Sequence, residues 1–87
     1  VRDFPDNPHV RILQARLLFT RGKLSESLAI LRKLEKREPD NLNALFAIST
    51  VCGASGDKPC VRAAMEKVLF YDRTNEAALA RLQALSR

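Results

Sequence analysis

The stretch REPDNLNALFAIST, residues 37–50, decides the fold, because its tripeptide Pro39-Asp40-Asn41 also occurs as Pro5-Asp6-Asn7. The two copies are 39 − 5 = 34 positions apart, and the asparagine recurs once more at that spacing as Asn75. Apolar residues follow the same spacing: Ile12 with Phe46, Leu17 with Val51, Leu31 with Met65, and Leu34 with Val68. Because turn residues and apolar residues recur together, the sequence indicates an internal repeat of 34 residues.

Turn and capping residues divide the first repeat into two helices. Asn7 is a good N-cap and Pro8 suits the first helical position, so a helix is predicted over residues 8–21. Gly22 ends it, because glycine adopts the left-handed backbone that often follows a helix. A second helix is predicted over residues 23–37, where leucines recur at three- and four-residue spacing, and Pro39 stops it.

The second repeat is predicted to follow the same plan. Asp40 is expected to cap a third helix over residues 41–54, and a fourth helix has Pro59 in its first turn and ends near Asp72. Thr74 is expected to cap a fifth helix that continues to the C-terminus. Loops this short make neighbouring helices antiparallel, so each repeat is predicted to be a helical hairpin.

The spacing of small residues, glycine and proline resembles the tetratricopeptide repeat family. The matching residues are Ala15, Gly22, Ser27 and Pro39 in the first repeat, and Ser49 and Gly56 in the second. The small residues allow the two helices of a hairpin to approach closely. The departures from the family pattern are Val61 in place of a small residue, Arg73 in place of the closing proline, and Arg11 and Gln14 in place of large apolar residues.

The resemblance implies an all-α, right-handed helical solenoid of antiparallel helix hairpins, with five helices in one domain over residues 1–87. Residues 1–7 would end a preceding repeat, residues 8–41 and 42–75 would form two full repeats, and residues 76–87 would form a terminal or capping helix. The chain is therefore expected to be a fragment of a longer array.

Charge and hydropathy narrow the range of functions. The chain carries a net charge of +5, but its basic residues alternate with acidic ones, as in RKLEKRE at residues 32–38. This pattern is typical of solvated helix faces and disfavours nucleic acid as a partner. No apolar run reaches the roughly 18 residues that cross a bilayer, so this segment is not expected to insert into a membrane. A soluble protein of the cytoplasm or the periplasm is expected, without a choice between the two.

Residues suited to catalysis or metal binding are few. His9 is the only histidine, and no second histidine or cysteine lies at metal-ligand spacing from it. Gly53, Gly56 and Lys58 lack the spacing of a phosphate-binding loop. We therefore expect no enzyme activity, no metal and no cofactor.

Cys52 and Cys60 lie on the two sides of the second hairpin turn, eight positions apart. Two free thiols that behave as small apolar residues are the favoured expectation. The alternative is a disulfide, which would imply an oxidising compartment.

The resemblance implies a protein-binding function, because ligands of the family usually lie in the concave groove lined by the first helix of each hairpin. The residues of this sequence on that face are Ile12, Arg16, Phe19, Asn43, Phe46, Thr50, Ala80 and Ala84. The face is mostly apolar, which favours an apolar peptide or helix of a protein partner. Ile12 and Arg16 occupy positions of the family's carboxylate clamp, so a free C-terminal carboxylate is not expected as the ligand.

Two other functions remain open. The first is a structural or self-association segment of a larger secretion or assembly complex, which includes a homodimer through exposed repeat ends. The second is nucleic-acid binding through basic convex faces, which the charge pattern disfavours.

Overall fold

The computed structural model describes residues 7–86, and over that range the chain is all-α. The helices are α1 (Pro8–Thr20), α2 (Leu24–Arg37), α3 (Leu42–Ala54), α4 (Lys58–Tyr71) and α5 (Glu76–Leu85). The prediction of five helices is confirmed, and their internal ends fall within a residue or two of the expected positions. The expected end of a preceding repeat at residues 1–7 lies, apart from Asn7, outside the described residues, as does Arg87.

The asparagines that recur every 34 residues cap the first helix of each hairpin. Side-chain oxygens of Asn7, Asn41 and Asn75 accept hydrogen bonds from first-turn N–H groups at 2.8, 3.1 and 3.0 Å, respectively. The predictions that Asp40 and Thr74 would be the caps are therefore wrong. Asn41 and Asn75, each one residue after the predicted cap, are the last residues with an extended backbone before their helices. Their side chains therefore reach the free N–H groups of the first turn.

Gly22 and Gly56 form the turns within the hairpins, as the sequence predicts. Their φ angles are +80° and +76°, a left-handed conformation that residues with a Cβ rarely adopt. In each turn the N–H that follows the glycine donates to the carbonyl five residues back, at 2.9 Å. This bond satisfies a carbonyl that the end of the helix would otherwise leave free.

The helices pack sequentially as adjacent pairs, and α1 also contacts α3. Among the described residues, α3 packs along α1, α2 and α4, and the side chain of Arg81 also reaches it from α5. Its buried residues are Ala44, Leu45, Ile48, Ser49, Val51 and Cys52. By contrast, α1 buries Ala15 alone and α5 buries Ala78 alone. The core therefore lies around α3, between α2 and α4, with α1 and α5 at its margins.

A buried hydrogen bond marks the close approach of α1 and α2. The Ser27 hydroxyl donates to the carbonyl of Ala15 at 2.7 Å, and both residues are buried. A larger side chain at either position would separate the two helices. The small residues that the repeat pattern requires are thus in contact across the first hairpin.

In the second hairpin, the large and the small side chain at two equivalent positions are exchanged. Gly53 and Val61 lie 34 positions after Phe19 and Ser27, so a glycine replaces the large residue and a valine replaces the small one. A Cβ placed on Gly53 would lie 3.9 Å from Cγ2 of Val61. Val61 is therefore larger than Ser27 at a point where the facing residue of α3 has no side chain.

Cys52 and Cys60 form a disulfide, so the expectation of free thiols is wrong. Cys52 lies in the last turn of α3 and Cys60 in the first turn of α4, and the glycine turn brings their Cα atoms to 5.9 Å. That separation lies within the range that a disulfide spans. The bond fixes the α3–α4 hairpin covalently next to the core.

Glu35 joins α2 to α4. Its carboxylate accepts a hydrogen bond from Arg32 at 3.1 Å and another from Lys67, and its side chain is 13% exposed. Burial acts to raise the pKa of this carboxyl, but the two hydrogen bonds and the positive charges of their donors outweigh burial and lower the pKa. The carboxylate is therefore ionised at neutral pH and binds two helices together.

Replacement of glycine by alanine should have opposite effects in helix α3 and in the turn of the first hairpin. Gly53→Ala should stabilise the fold by roughly 0.5 kcal/mol, because the added methyl meets only ordinary contact and alanine favours the helix. Gly22→Ala should destabilise the fold by about 1–2 kcal/mol, because its φ is +80°. Thermal unfolding followed by circular dichroism measures both changes, and a stabilising Gly22→Ala would contradict the assigned turn.

Reduction of the disulfide should lower stability by roughly 2.5 kcal/mol, from the chain entropy of a loop of this length. The melting temperature would then fall by about 10–20 °C. The check compares melts with and without a reducing dithiol, and Cys52→Ala/Cys60→Ala serves as a control that should not respond to the reductant. Alkylation of both cysteines in protein purified under oxidising conditions would contradict the bond.

Candidate functional site

A cavity of about 500 Å³ lies between α1 and α3 and is open to solvent. One wall is α1, which contributes Ile12, Leu13, Arg16 and Phe19, and the other is α3, which contributes Asn43, Phe46, Ala47 and Thr50. Buried residues of α1, α2 and α3 form the floor. The cavity exists because α1 and α3, the first helices of successive hairpins, contact each other side by side.

Six of the eight residues expected on the binding face line this cavity. They are Ile12, Arg16, Phe19, Asn43, Phe46 and Thr50. Ala80 and Ala84 are exposed on α5 and do not line it. Both lie on α5, which packs against α4, whereas the cavity lies between α1 and α3.

Arg81 is the residue of α5 that does line the cavity, and the sequence reasoning missed it. Its Nη1 atom donates to the hydroxyl of Ser49, to Thr50 Oγ1 at 3.3 Å and to the carbonyl of Phe46 at 3.5 Å. Its guanidinium carbon lies 5.1 Å from the centre of the Phe46 ring, which is a cation–π contact. The side chain therefore bridges α5 to α3 at one end of the cavity.

The repeat spacing carried a signal for Arg81. Leu13 and Ala47 line the cavity and lie 68 and 34 positions before Arg81, so all three occupy the same place in successive repeats. The expected face included the residues one position earlier, Ile12, Phe46 and Ala80. A face one residue wider would have included Arg81.

Phe19 and Phe46 are half-buried, and both belong to the core as well as to the cavity. Each packs against the buried cluster and also lines the cavity. Each ring therefore contributes both to the core and to the lining of the cavity. Substitution of either ring is expected to affect both stability and the shape of the cavity.

The charged side chains at the cavity are basic. Arg16 and Arg81 line it, and none of its described lining residues is Asp or Glu. Neither arginine forms an ion pair with the described part of the chain; the ion pairs of Glu35 lie on the α2–α4 side. Within residues 7–86, the cavity thus combines a mostly apolar lining with two arginines that no carboxylate neutralises.

Residues 7–86 offer neither a metal site nor a membrane span. They contain no group of three or more His, Cys, Asp or Glu side chains placed to hold a metal ion. Within the same range no helix has the length and hydropathy to cross a membrane.

Comparisons of the chain with protein-family models, with curated proteins and with solved structures give no match.

Proposed function

We propose that this chain is a segment of a right-handed, tetratricopeptide-like solenoid that binds an apolar peptide or helix of another protein in the cavity between α1 and α3. The function is binding without catalysis. The observation that carries the proposal is the cavity of about 500 Å³ flanked by Phe19 and Phe46, one from each repeat.

The repeat geometry supports the solenoid. Equivalent caps and equivalent glycine turns recur at a spacing of 34 positions, and the first helices of the two hairpins lie against each other. The described part of the chain extends 46 Å along its longest axis and 17 Å along its shortest. An elongated stack in which each hairpin contacts its neighbours is the arrangement typical of repeat proteins.

The exposure of Leu13 supports a partner at this cavity. Leu13 is 47% exposed while it lines the cavity, so apolar area is accessible beside the two aromatic rings. Apolar surface that lines a concave site favours an apolar ligand. The Cys52–Cys60 disulfide further supports an oxidising compartment, such as a periplasm, as the place of binding.

Leu13 and Leu17 offer a matched test of the proposal. Both lie on α1 and are 47% and 54% exposed, but only Leu13 lines the cavity. Peptides selected on the oxidised protein from a phage-displayed library of random dodecapeptides provide the ligand. Leu13→Ser should weaken their binding by about tenfold, because an apolar contact is lost, and Leu17→Ser should leave it unchanged.

Calorimetric titration measures the affinities, and thermal melts verify that both variants stay folded. The two substitutions are at exposed positions, so each should change the free energy of unfolding by no more than about 0.5 kcal/mol. Equal binding by wild type and Leu13→Ser, or a library that yields no binding peptide, would overturn the proposed function.

Self-association through the outer face of α5 is a second candidate function. Leu79 lies 34 positions after Leu45, yet Leu79 is 44% exposed and Leu45 is 1% exposed. Leu45 lies on α3, which packs against α1, α2 and α4, whereas α5 packs against α4 and no described helix follows it. A second copy of the chain is the occupant that this candidate requires.

Sedimentation velocity tests the second candidate. Under self-association, wild-type protein forms a dimer as its concentration rises, and Leu79→Glu raises the dimer dissociation constant at least about tenfold by placing a charge in the interface. Ala77→Glu is the control, an exposed position on the same helix. A protein that remains monomeric up to millimolar concentration contradicts this candidate.

A further inference from the structure

Arg81 is held in one position by neutral groups alone. Its Nη1 atom bonds Ser49, Thr50 and the Phe46 carbonyl, and its guanidinium lies over the Phe46 ring. The Ser49 and Thr50 hydroxyls themselves donate to the Phe46 carbonyl, at 2.8 and 3.1 Å, which fixes the acceptors in turn. The arginine is thus preorganised, but its charge is not compensated by any described residue.

The remaining donors of Arg81 lie on one edge of the guanidinium. With Nη1 bonded to the protein, Nε and Nη2 have no acceptor among the described residues. These two N–H groups are parallel, and a carboxylate accepts such a pair in bidentate fashion. Because its orientation is already fixed, Arg81 would lose little side-chain entropy when it binds a carboxylate.

Arg16 supplies a second positive charge from the other wall. It is exposed, lines the cavity from α1, and has no hydrogen bond or ion pair within residues 7–86. The apolar surface of Ile12 and Phe19 adjoins it on the same helix. A ligand that places an apolar side chain on the floor therefore meets a cation on each side.

From this arrangement we infer that the partner segment is acidic as well as apolar, and that Arg81 is a specificity-determining residue that binds an Asp or Glu side chain of the partner. The inference rests on the proposed peptide-binding function of the same cavity. The argument for this occupant is charge complementarity, since the described lining contains two unpaired arginines and no acidic residue. The acidic side chain would lie within about one helical turn of the apolar side chain that enters the cavity.

A double-mutant cycle on selected peptides tests the inference. Dodecapeptides from the same phage library should carry Asp or Glu beside an apolar residue, and each acidic residue is then replaced by its amide. Arg81→Gln should weaken the acidic peptide by about tenfold or more and leave the amide peptide nearly unaffected, because a charge-assisted pair exists only in the first case. Arg62→Gln is the control, an exposed arginine of α4 that does not line the cavity.

Arg16→Gln keeps the test independent of folding. Arg81→Gln removes bonds to Ser49 and Thr50 and can affect stability, whereas Arg16 has no such bonds. Arg16→Gln should therefore leave the melting temperature unchanged and should also weaken the acidic peptide more than the amide peptide.

The outcomes separate the inference from the proposed function. Peptides that bind, lose affinity in Leu13→Ser and show no acidic preference would overturn the inference and leave the proposed function intact. If Arg81→Gln weakened acidic and amide peptides equally, the inference would also be overturned and the proposed function would stand. A library that yields no peptide sensitive to Leu13→Ser would overturn both.

Discussion

The burial of α3 against three neighbouring helices is the constraint on which the rest of the structure depends. A helix with buried residues on several faces cannot exist in water alone, so α1, α2 and α4 are needed to cover it. The first helix, α1, packs mainly against α2 and more narrowly against α3, and Ala15 is its one buried residue. The cavity is a product of the same constraint, since its second wall is the part of α3 that α1 leaves uncovered.

Local signals explain why the helices and turns were predictable from the sequence. A glycine with positive φ and an asparagine cap act within a few residues, so the 34-residue spacing was enough to locate both turns and all five helices. The caps themselves were misplaced by one residue at Asp40 and Thr74, because all these residue types accept the same hydrogen bond and only the backbone geometry selects among them.

Long-range contacts explain what the sequence did not predict. The repeat pattern brought six of the eight expected residues to one cavity, but it could not show that a side chain from α5 would reach across to α3. Arg81 reaches α3 because its side chain is long, whereas the side chains of Ala80 and Ala84 are short. The disulfide was missed for a similar reason: spacing placed Cys52 near Cys60, and only the folded turn fixed the separation of their Cα atoms at 5.9 Å.

The exchange of sizes between the two hairpins has a consequence for how such a chain can evolve or be engineered. Phe19 and Ser27 in the first hairpin correspond to Gly53 and Val61 in the second, where Val61 lies beside the glycine. The two units are therefore not interchangeable modules, despite their identical length. If a copy of the second unit replaced the first, the chain would lose both Phe19 from the cavity wall and the buried Ser27. An exchange of segments between the two units would have to include both positions of such a pair, 19 with 27 or 53 with 61. Positions eight residues apart would therefore be inherited together.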